Sequence, residues 1–163
     1  MFWGSFRGIY AIELSEDGLS LKSGSSPVQI AGTAYEGTYI HKRGGYYYMF
    51  ASIGSCCEGL KSTYTTVVGR STSLFGPYLD KKGQSMMDNH HEILIHKNDS
   101  FVGTGHNSEI VSDNAGTDWL FYHAVSVANP DGRVLMLDKI DWIDGWPSVE
   151  GNSPSVKSEK PRF

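Results

Sequence analysis

The sequence predicts an all-β fold, and three observations support this prediction. Aromatic residues make up 12% of the chain and stand beside 19 Gly and 6 Pro, a composition typical of short strands joined by tight turns. Apolar and polar residues alternate with a period of two along much of the chain, whereas no window shows a capped stripe with a 3.6-residue period. One strand pattern also occurs twice. We therefore expect strands throughout and no long helix.

Five strands are predicted in the first part of the chain, separated by turns and loops. The turn Arg43-Gly44-Gly45 places glycine where a hairpin needs a positive φ. Residues 20–27 form a polar connection rich in Gly and Ser. The expected strands are residues 2–5, 8–14, 37–42, 46–52 and 64–71.

The second part of the chain repeats this plan. Strands are expected at residues 106–111, 118–124 and 134–140, followed by a last apolar stretch at 141–146. The polar tail from residue 150 onward is rich in Ser, Pro and charge, and we expect it to fray. Residues 1–149 are therefore assigned to the folded part.

The repeat begins at Glu36 and again at His106. Each copy has a polar residue, an Ile four positions later, a Gly-containing turn and an aromatic-rich strand. Two complete units and the last half of a third indicate about two and a half blades of a β-propeller, whereas closed propellers typically have four to eight. We therefore expect a functional unit larger than this chain, with Met1 at a break inside a blade. A β-sandwich of about nine strands is the alternative.

Charge and apolar pattern exclude two classes of partner. The formal charge of −4 leaves no large cationic surface for a phosphate backbone, so we expect no nucleic acid partner. No apolar run approaches the roughly 18 to 20 residues that span a bilayer, so we expect no membrane partner. The adjacent Cys56 and Cys57 are expected to be free thiols, because neighbouring side chains do not easily reach ordinary disulfide geometry.

The repeat also predicts a site. In a propeller, polar residues at the start of the first strand of each blade point towards the central axis, and Glu36 and His106 occupy equivalent positions. A carboxylic acid would then lie beside a ligand for a metal or water. The alternatives are a strand-edge Glu36 paired with Lys42 or Arg43, and a purely structural His106.

Several segments together resemble a known family. They are G-S-F-R-G-I-Y-A-I-E-L, Y-E-G-T-Y-I-H-K-R-G-G-Y-Y-Y-M-F, C-C-E-G-L-K-S-T-Y-T-T-V-V-G-R-S, G-T-G-H-N-S-E-I and L-D-K-I-D-W-I-D-G-W-P. They look like the C-terminal half of endo-α-1,5-L-arabinanases of glycoside hydrolase family 43, up to Val149. This resemblance implies a five-bladed β-propeller.

The resemblance also implies roles for single residues. Glu36, in E-G-T-Y-I, matches the general acid, and His106, in G-T-G-H-N-S, matches the axial histidine that holds a hydrated calcium or sodium ion. Ser5, Phe6 and Arg7 match a substrate-contacting segment, although relatives read G-S-F-W with an extra small residue before G-I. The aromatic rings of Trp3 and Phe6 would either stack on a sugar or pack between blades.

The implied reaction is inverting hydrolysis of α-1,5-L-arabinan, the side chain of plant pectin. Inversion needs a carboxylic acid and a carboxylate base about 6.5 to 9.5 Å apart. The family's base and its pKa-modulating aspartate lie upstream, and no residue here matches either, so activity is expected to need the N-terminal half. Asp88, Asp113 and Asp118 are expected to be solvated turn residues.

Two other functions stay open at this stage. One is a propeller that binds a glycan without cleaving it, and the other is the same enzyme class acting on xylan or arabinoxylan linkages. Endo and exo action are not distinguished by the sequence. Since relatives act outside the cytoplasm, the resemblance implies a secreted or periplasmic protein.

Overall fold

The computed structural model describes all 163 residues and is built almost entirely of strands. Its three helical segments are 3₁₀ turns of three residues each, and none of them is long and apolar enough to cross a membrane. The strands are β1 (Phe2–Ser5), β2 (Gly8–Ala11), β3 (Val28–Ala31), β4 (Glu36–Arg43), β5 (Tyr46–Ile53), β6 (Thr65–Ser71), β7 (Glu92–Ile95), β8 (Phe101–Gly105), β9 (Ile110–Ser112), β10 (Asp118–Ser126), β11 (Arg133–Ile143) and β12 (Trp146–Ser148).

The strands form three antiparallel sheets in which neighbours along the chain pair with each other. The first sheet has the order β1-β2-β3, the second β4-β5-β6-β7, and the third β12-β11-β10-β8 with β9 also paired to β10. Strands β8 and β9 follow each other along one edge of β10, where Gly105 pairs with His123 and Ile110 pairs with Leu120. They therefore act as one strand interrupted at residues 106–109. Three strands followed by two four-stranded units match the predicted two and a half blades.

The second sheet is buried on both faces, because its central strand contributes to two cores. Tyr48 and Phe50 of β5 pack in the core shared with the third sheet, around Leu120 and Tyr122. The alternate residues Met49 and Ala51 pack in the core shared with the first sheet. Both cores are apolar and almost fully buried. Sheets packed face to face in this order are the arrangement of neighbouring propeller blades.

Most predicted strands are confirmed, but three were missed. These are β3, β7 and β8, of four, four and five residues, too short for a clear period of two. In β8 the glycines also hide the pattern, although close packing requires them: a Cβ on Gly103 would lie 2.8 Å from the Cβ of Ser62. The strand predicted at 106–111 was wrong at its start, because His106 leaves the sheet with φ of 50°.

The tail is not frayed, which corrects the sequence prediction. The Asn152 carbonyl accepts a hydrogen bond from His96 N at 2.9 Å, and the Pro154 carbonyl accepts one from Asn98 Nδ2 at 2.8 Å. Near the C-terminus, the Arg162 carbonyl accepts a hydrogen bond from Asn114 N at 2.9 Å. Hydrogen bonds to the tail carbonyls thus hold the segment against the ends of the second and third sheets despite its polar composition.

The prediction of two free thiols was also wrong. Cys56 and Cys57 form a disulfide in the loop between β5 and β6. This loop is fixed by its own polar contacts: Ser55 N donates to Thr63 Oγ1 at 3.0 Å, and Ser62 Oγ donates to the Cys56 carbonyl at 3.2 Å. The conformation of this loop brings the two adjacent sulfurs together, which the sequence pattern alone does not indicate.

Candidate active site

Glu36 lies at the start of β4, an edge strand of the second sheet, where the pairing of β4 with β5 is irregular. It pairs with Ser52, and the register shifts between Glu36 and Tyr39. Gly37, within this shift, has φ of 59°, a conformation that suits glycine. The carboxyl group faces an open cleft of about 640 Å³. The residues that line it are Phe2, Trp3, Gly4, Ser5, Glu36, Gly37, Thr38, Tyr39, His106, Asn107, Ser108 and Glu109.

Two hydroxyl groups hold the Glu36 carboxyl group. Tyr64 OH donates to Oε1 at 2.5 Å, and Ser5 Oγ donates to Oε2 at 3.1 Å. The alternative of a carboxylate paired with Lys42 or Arg43 is contradicted. Arg43 forms its ion pair with Asp118 at 3.0 Å, and the Lys42 ammonium lies over the ring of Tyr47. Glu36 is therefore left without a cationic partner in this chain.

His106 lies beside Glu36, as the repeat predicted. It follows β8 directly, and its backbone N–H donates to Ser52 Oγ at 2.7 Å. Its Nδ1 lies 3.3 Å from the Tyr64 hydroxyl oxygen. Ser52 and Tyr64 thus connect the two predicted residues across adjacent sheets. The roles of Glu36 as general acid and of His106 as ion ligand stay predictions.

Tyr64 and His123 belong to the same cluster but were not singled out from the sequence. The ring of His123 stacks on Tyr64 at 5.6 Å between centroids and on His106 at 6.3 Å. Tyr64 is almost fully buried, and Gly105 leaves room for it, since a Cβ there would lie 2.4 Å from the Tyr64 ring. Tyr64 stands in the C-C-E-G-L-K-S-T-Y segment, which was a usable signal, whereas nothing in the sequence marked His123.

Burial sets the protonation of these two rings. Desolvation, reinforced by hydrogen bonding to Glu36, raises the pKa of Tyr64 well above its usual value, so the phenol keeps its proton. Desolvation and then the Arg133 guanidinium lower the pKa of His123 to about 4. His123 is therefore neutral at neutral pH, and the positive charge on that side of the cluster is that of Arg133, whose Nη1 lies 3.3 Å from His123 Nε2.

Of the predicted substrate-contacting residues, Trp3 and Ser5 lie on the opposite wall of the cleft, whereas Phe6 and Arg7 line a neighbouring cleft. Trp3 and Phe6 are 40% and 46% exposed and belong to neither core, so packing between blades does not explain them within this chain. Trp3 stacks on Tyr10 with 6.0 Å between centroids. A smaller cleft of about 460 Å³ is lined by Trp3, Phe6 and Arg7, among others. Of the predicted set, Ser5 alone touches the Glu36 carboxyl group directly.

Two of the three aspartates expected to be solvated are buried. Asp118 is 4% exposed and accepts hydrogen bonds from Arg43 and from Trp142 Nε1. Asp113 is 8% exposed and closes a turn. Desolvation opposes its ionisation, but hydrogen bonds from Arg162 N and other donors outweigh this and lower its pKa to about 2. Asp88 is exposed, as predicted. None of these acids lines the cleft of Glu36.

The site offers few protein ligands for a metal ion. No group of three or more His, Cys, Asp or Glu side chains is placed to hold one. His106 is exposed at the cleft, and beside it the buried Oδ1 of Asn107 has no hydrogen-bond partner. One imidazole and one unpaired amide oxygen fit a cation that is coordinated largely by water. They do not fit zinc, which takes three or four protein ligands.

Comparison with known proteins decides the family. Residues 1–147 match the family model for glycosyl hydrolases family 43. This chain belongs to that family. The family 43 chain is 43% identical to an extracellular exo-α-(1→5)-L-arabinofuranosidase from Cellvibrio japonicus over 74% of its own length, and 41% identical to an extracellular endo-α-(1→5)-L-arabinanase from Bacillus subtilis over 72%. It covers only 35% of each of these relatives.

The solved structures agree with the predicted architecture. An α-L-arabinanase from Cellvibrio cellulosa, solved with arabinohexaose, superposes with a TM-score of 0.85 at 35% identity. The match covers 93% of the family 43 chain and 53% of the arabinanase. These arabinanases are five-bladed β-propellers, so the predicted fold class is confirmed. The three sheets described above correspond to about half of such a propeller.

Proposed function

We propose that this chain supplies the general acid of an arabinan-cleaving enzyme, with Glu36 protonating the leaving oxygen of an α-1,5-L-arabinofuranosyl linkage. The observation that carries the proposal is the Glu36 carboxyl group, exposed to an open cleft and held at both oxygens by hydroxyl donors. The two arabinan-acting relatives and the arabinohexaose-bound neighbour support arabinan as the substrate.

The reaction needs a second carboxylate that this chain does not place. An inverting glycosidase uses a base about 6.5 to 9.5 Å from the acid to activate water on the opposite face of the sugar. Besides Glu36, only Glu109 contributes a carboxylate to the lining of the cleft, and it is exposed on the interruption between β8 and β9. We assign the base and the modulating aspartate to an N-terminal half that completes the propeller.

The remaining groups have supporting roles in this proposal. His106 would hold a calcium or sodium ion whose other ligands are mostly water, and such a cation would supply positive charge beside the acid. Trp3, Ser5, Phe6 and Arg7 would contact the arabinan chain, with the exposed rings covering sugar C–H faces. The named extracellular relatives support secretion or a periplasmic location.

The test compares two cleft carboxylates in the intact protein that contains this chain. Release of reducing ends from linear arabinan is measured for wild type, E36Q and E109Q. Loss of a general acid lowers kcat by about 100- to 10,000-fold, whereas E109Q is expected to change it by less than about tenfold. Thermal unfolding of each variant shows that the fold is retained.

Two results would contradict this proposal. One is E36Q activity within tenfold of wild type, which removes Glu36 as the acid. The other is a wild-type intact protein that binds arabinohexaose in calorimetry but releases no reducing ends, which supports a glycan-binding propeller. Faster cleavage of arabinoxylan than of arabinan would keep the enzyme class and replace the substrate.

A further inference from the structure

The Tyr64 hydroxyl group lies between the two residues on which the proposed site depends. Its oxygen is 2.5 Å from Glu36 Oε1 and 3.3 Å from His106 Nδ1. A phenol carries a single proton, so Tyr64 can donate only one of these two hydrogen bonds. The other contact must have its proton on the partner. The arrangement of protons at the site therefore depends on whether Glu36 or His106 accepts the hydrogen bond from the Tyr64 hydroxyl group.

The distances favour donation to Glu36. A bond from a hydroxyl group to a carboxylate is short and about twice as strong as one between neutral groups, and the 2.5 Å contact is the shorter by far. The Tyr64 oxygen is then free to accept from His106, which requires the proton of that imidazole on Nδ1. In the neutral imidazole, Nε2 then keeps its lone pair.

The same bond determines where Glu36 carries its own proton. Oε1 accepts from the buried Tyr64, and Oε2 lies beside the exposed Ser5, which lines the cleft. In the acid form of Glu36, the proton therefore sits on Oε2, the oxygen that substrate can reach. When this proton passes to the glycosidic oxygen and the C–O bond breaks, the electron pair left on the carboxylate is stabilised by the Tyr64 O–H.

We infer that Tyr64 is a positioning residue that directs the proton of Glu36 to Oε2 and the proton of His106 to Nδ1. The part that concerns Glu36 rests on the proposed function, whereas the His106 tautomer does not. Tyr64 is suited to this task because its ring is tightly packed: it is 1% exposed, it fits against Gly105, and it stacks on His123.

The test replaces Tyr64 by Phe and uses Tyr122→Phe as a matched control. Tyr122 is also a buried tyrosine that donates to a carboxylate, that of Asp138, but it belongs to the core between the second and third sheets. Both variants lose a tyrosine hydroxyl group that donates to a carboxylate, and Y64F also loses the contact with His106. A difference between them at the active site therefore comes from the position of Tyr64 and not from loss of stability.

Two readouts are expected to separate the variants. In Y64F, kcat for linear arabinan falls about 10- to 100-fold, the effect of one hydrogen bond to a charged group, while KM changes less than about threefold. Y122F keeps both constants within about twofold. In ¹⁵N spectra of protein labelled at histidine, His106 shows the Nδ1–H tautomer in wild type and in Y122F, and moves towards the Nε2–H tautomer in Y64F.

Each readout can overturn the inference separately. A Y64F variant with wild-type kcat, or with a loss expressed in KM alone, contradicts the role towards Glu36. The same His106 tautomer in wild type and Y64F, or the Nε2–H tautomer in wild type, contradicts the role towards His106. If E36Q is fully active, the proposed function fails, but the spectra still decide the tautomer.

Discussion

The two walls of the cleft are built in different ways. The wall that carries Glu36, Tyr64 and His106 joins the second and third sheets through hydrogen bonds, stacked rings and a glycine that no larger residue can replace without movement. The opposite wall is formed by β1 of the first sheet, where Trp3 is 40% exposed and belongs to neither core. Proton transfer needs fixed distances, whereas contact with a chain of sugars tolerates adjustment. The more tightly packed wall is therefore the one that carries the proposed proton donor.

Among changes that alter the packing of the two walls, Gly105→Ala is expected to have the largest effect. The new Cβ would lie 2.4 Å from Cδ1 of Tyr64, so the ring must move and the Glu36 and His106 contacts loosen. Overpacking of this kind costs about 1 to 3 kcal/mol, and kcat for arabinan should fall at least tenfold. Differential scanning calorimetry and arabinan hydrolysis measure the two effects.

Gly132→Ala is the matched control for that change. A Cβ on Gly132 meets no atom within 4 Å, and the residue lies in an exposed turn. The melting temperature and kcat of G132A should stay close to wild type. Equal melting temperatures and equal kcat values for G105A and G132A would show that the close packing of Tyr64 against Gly105 does not hold the wall with Glu36 in place.

A smaller effect is expected from Trp3→Ala on the opposite wall. Since Trp3 is 40% exposed and outside both cores, its loss should change the melting temperature by no more than a degree or two. KM for arabinan should rise about five- to tenfold with kcat nearly unchanged, because the ring would contact sugar in both the ground state and the transition state. Leu19→Ala, at an 87% exposed position away from the cleft, serves as the control. A drop in kcat without a change in KM would show that Trp3 acts in the chemical step, as is proposed for the wall with Glu36, and not in substrate binding.

The smallest effect is expected on the stability of the fold at acid pH. It comes from Asp113, which does not line the cleft. The pKa of Asp113 is lowered to about 2 by hydrogen bonds that outweigh desolvation, so its contribution to stability is present above about pH 4 and is lost as the pH falls towards 2. Asp113→Asn should reduce the fall in melting temperature between pH 5 and pH 2. An unchanged acid response in D113N would show that other carboxyl groups account for it.

The sequence predicted those parts of the molecule that local patterns determine. The aromatic strand at residues 46–52 and the equivalence of Glu36 with His106 could be read from the period of two and from the repeat, and the structure places the two residues side by side. Tyr64 could not be placed in this way, because it precedes β6 and reaches Glu36 only through packing between sheets. The Cys56–Cys57 disulfide depends on loop conformation, and the attached tail depends on partners distant in sequence.

The most direct measurement of the central claim compares two leaving groups in the intact protein. Wild type and E36Q are assayed on linear arabinan and on an arabino-oligosaccharide with a 2,4-dinitrophenyl leaving group, which departs without protonation. If Glu36 is the general acid, E36Q loses at least 100-fold in kcat on arabinan and less than about tenfold on the dinitrophenyl substrate. Equal losses on both substrates would contradict the assignment of Glu36 as the proton donor.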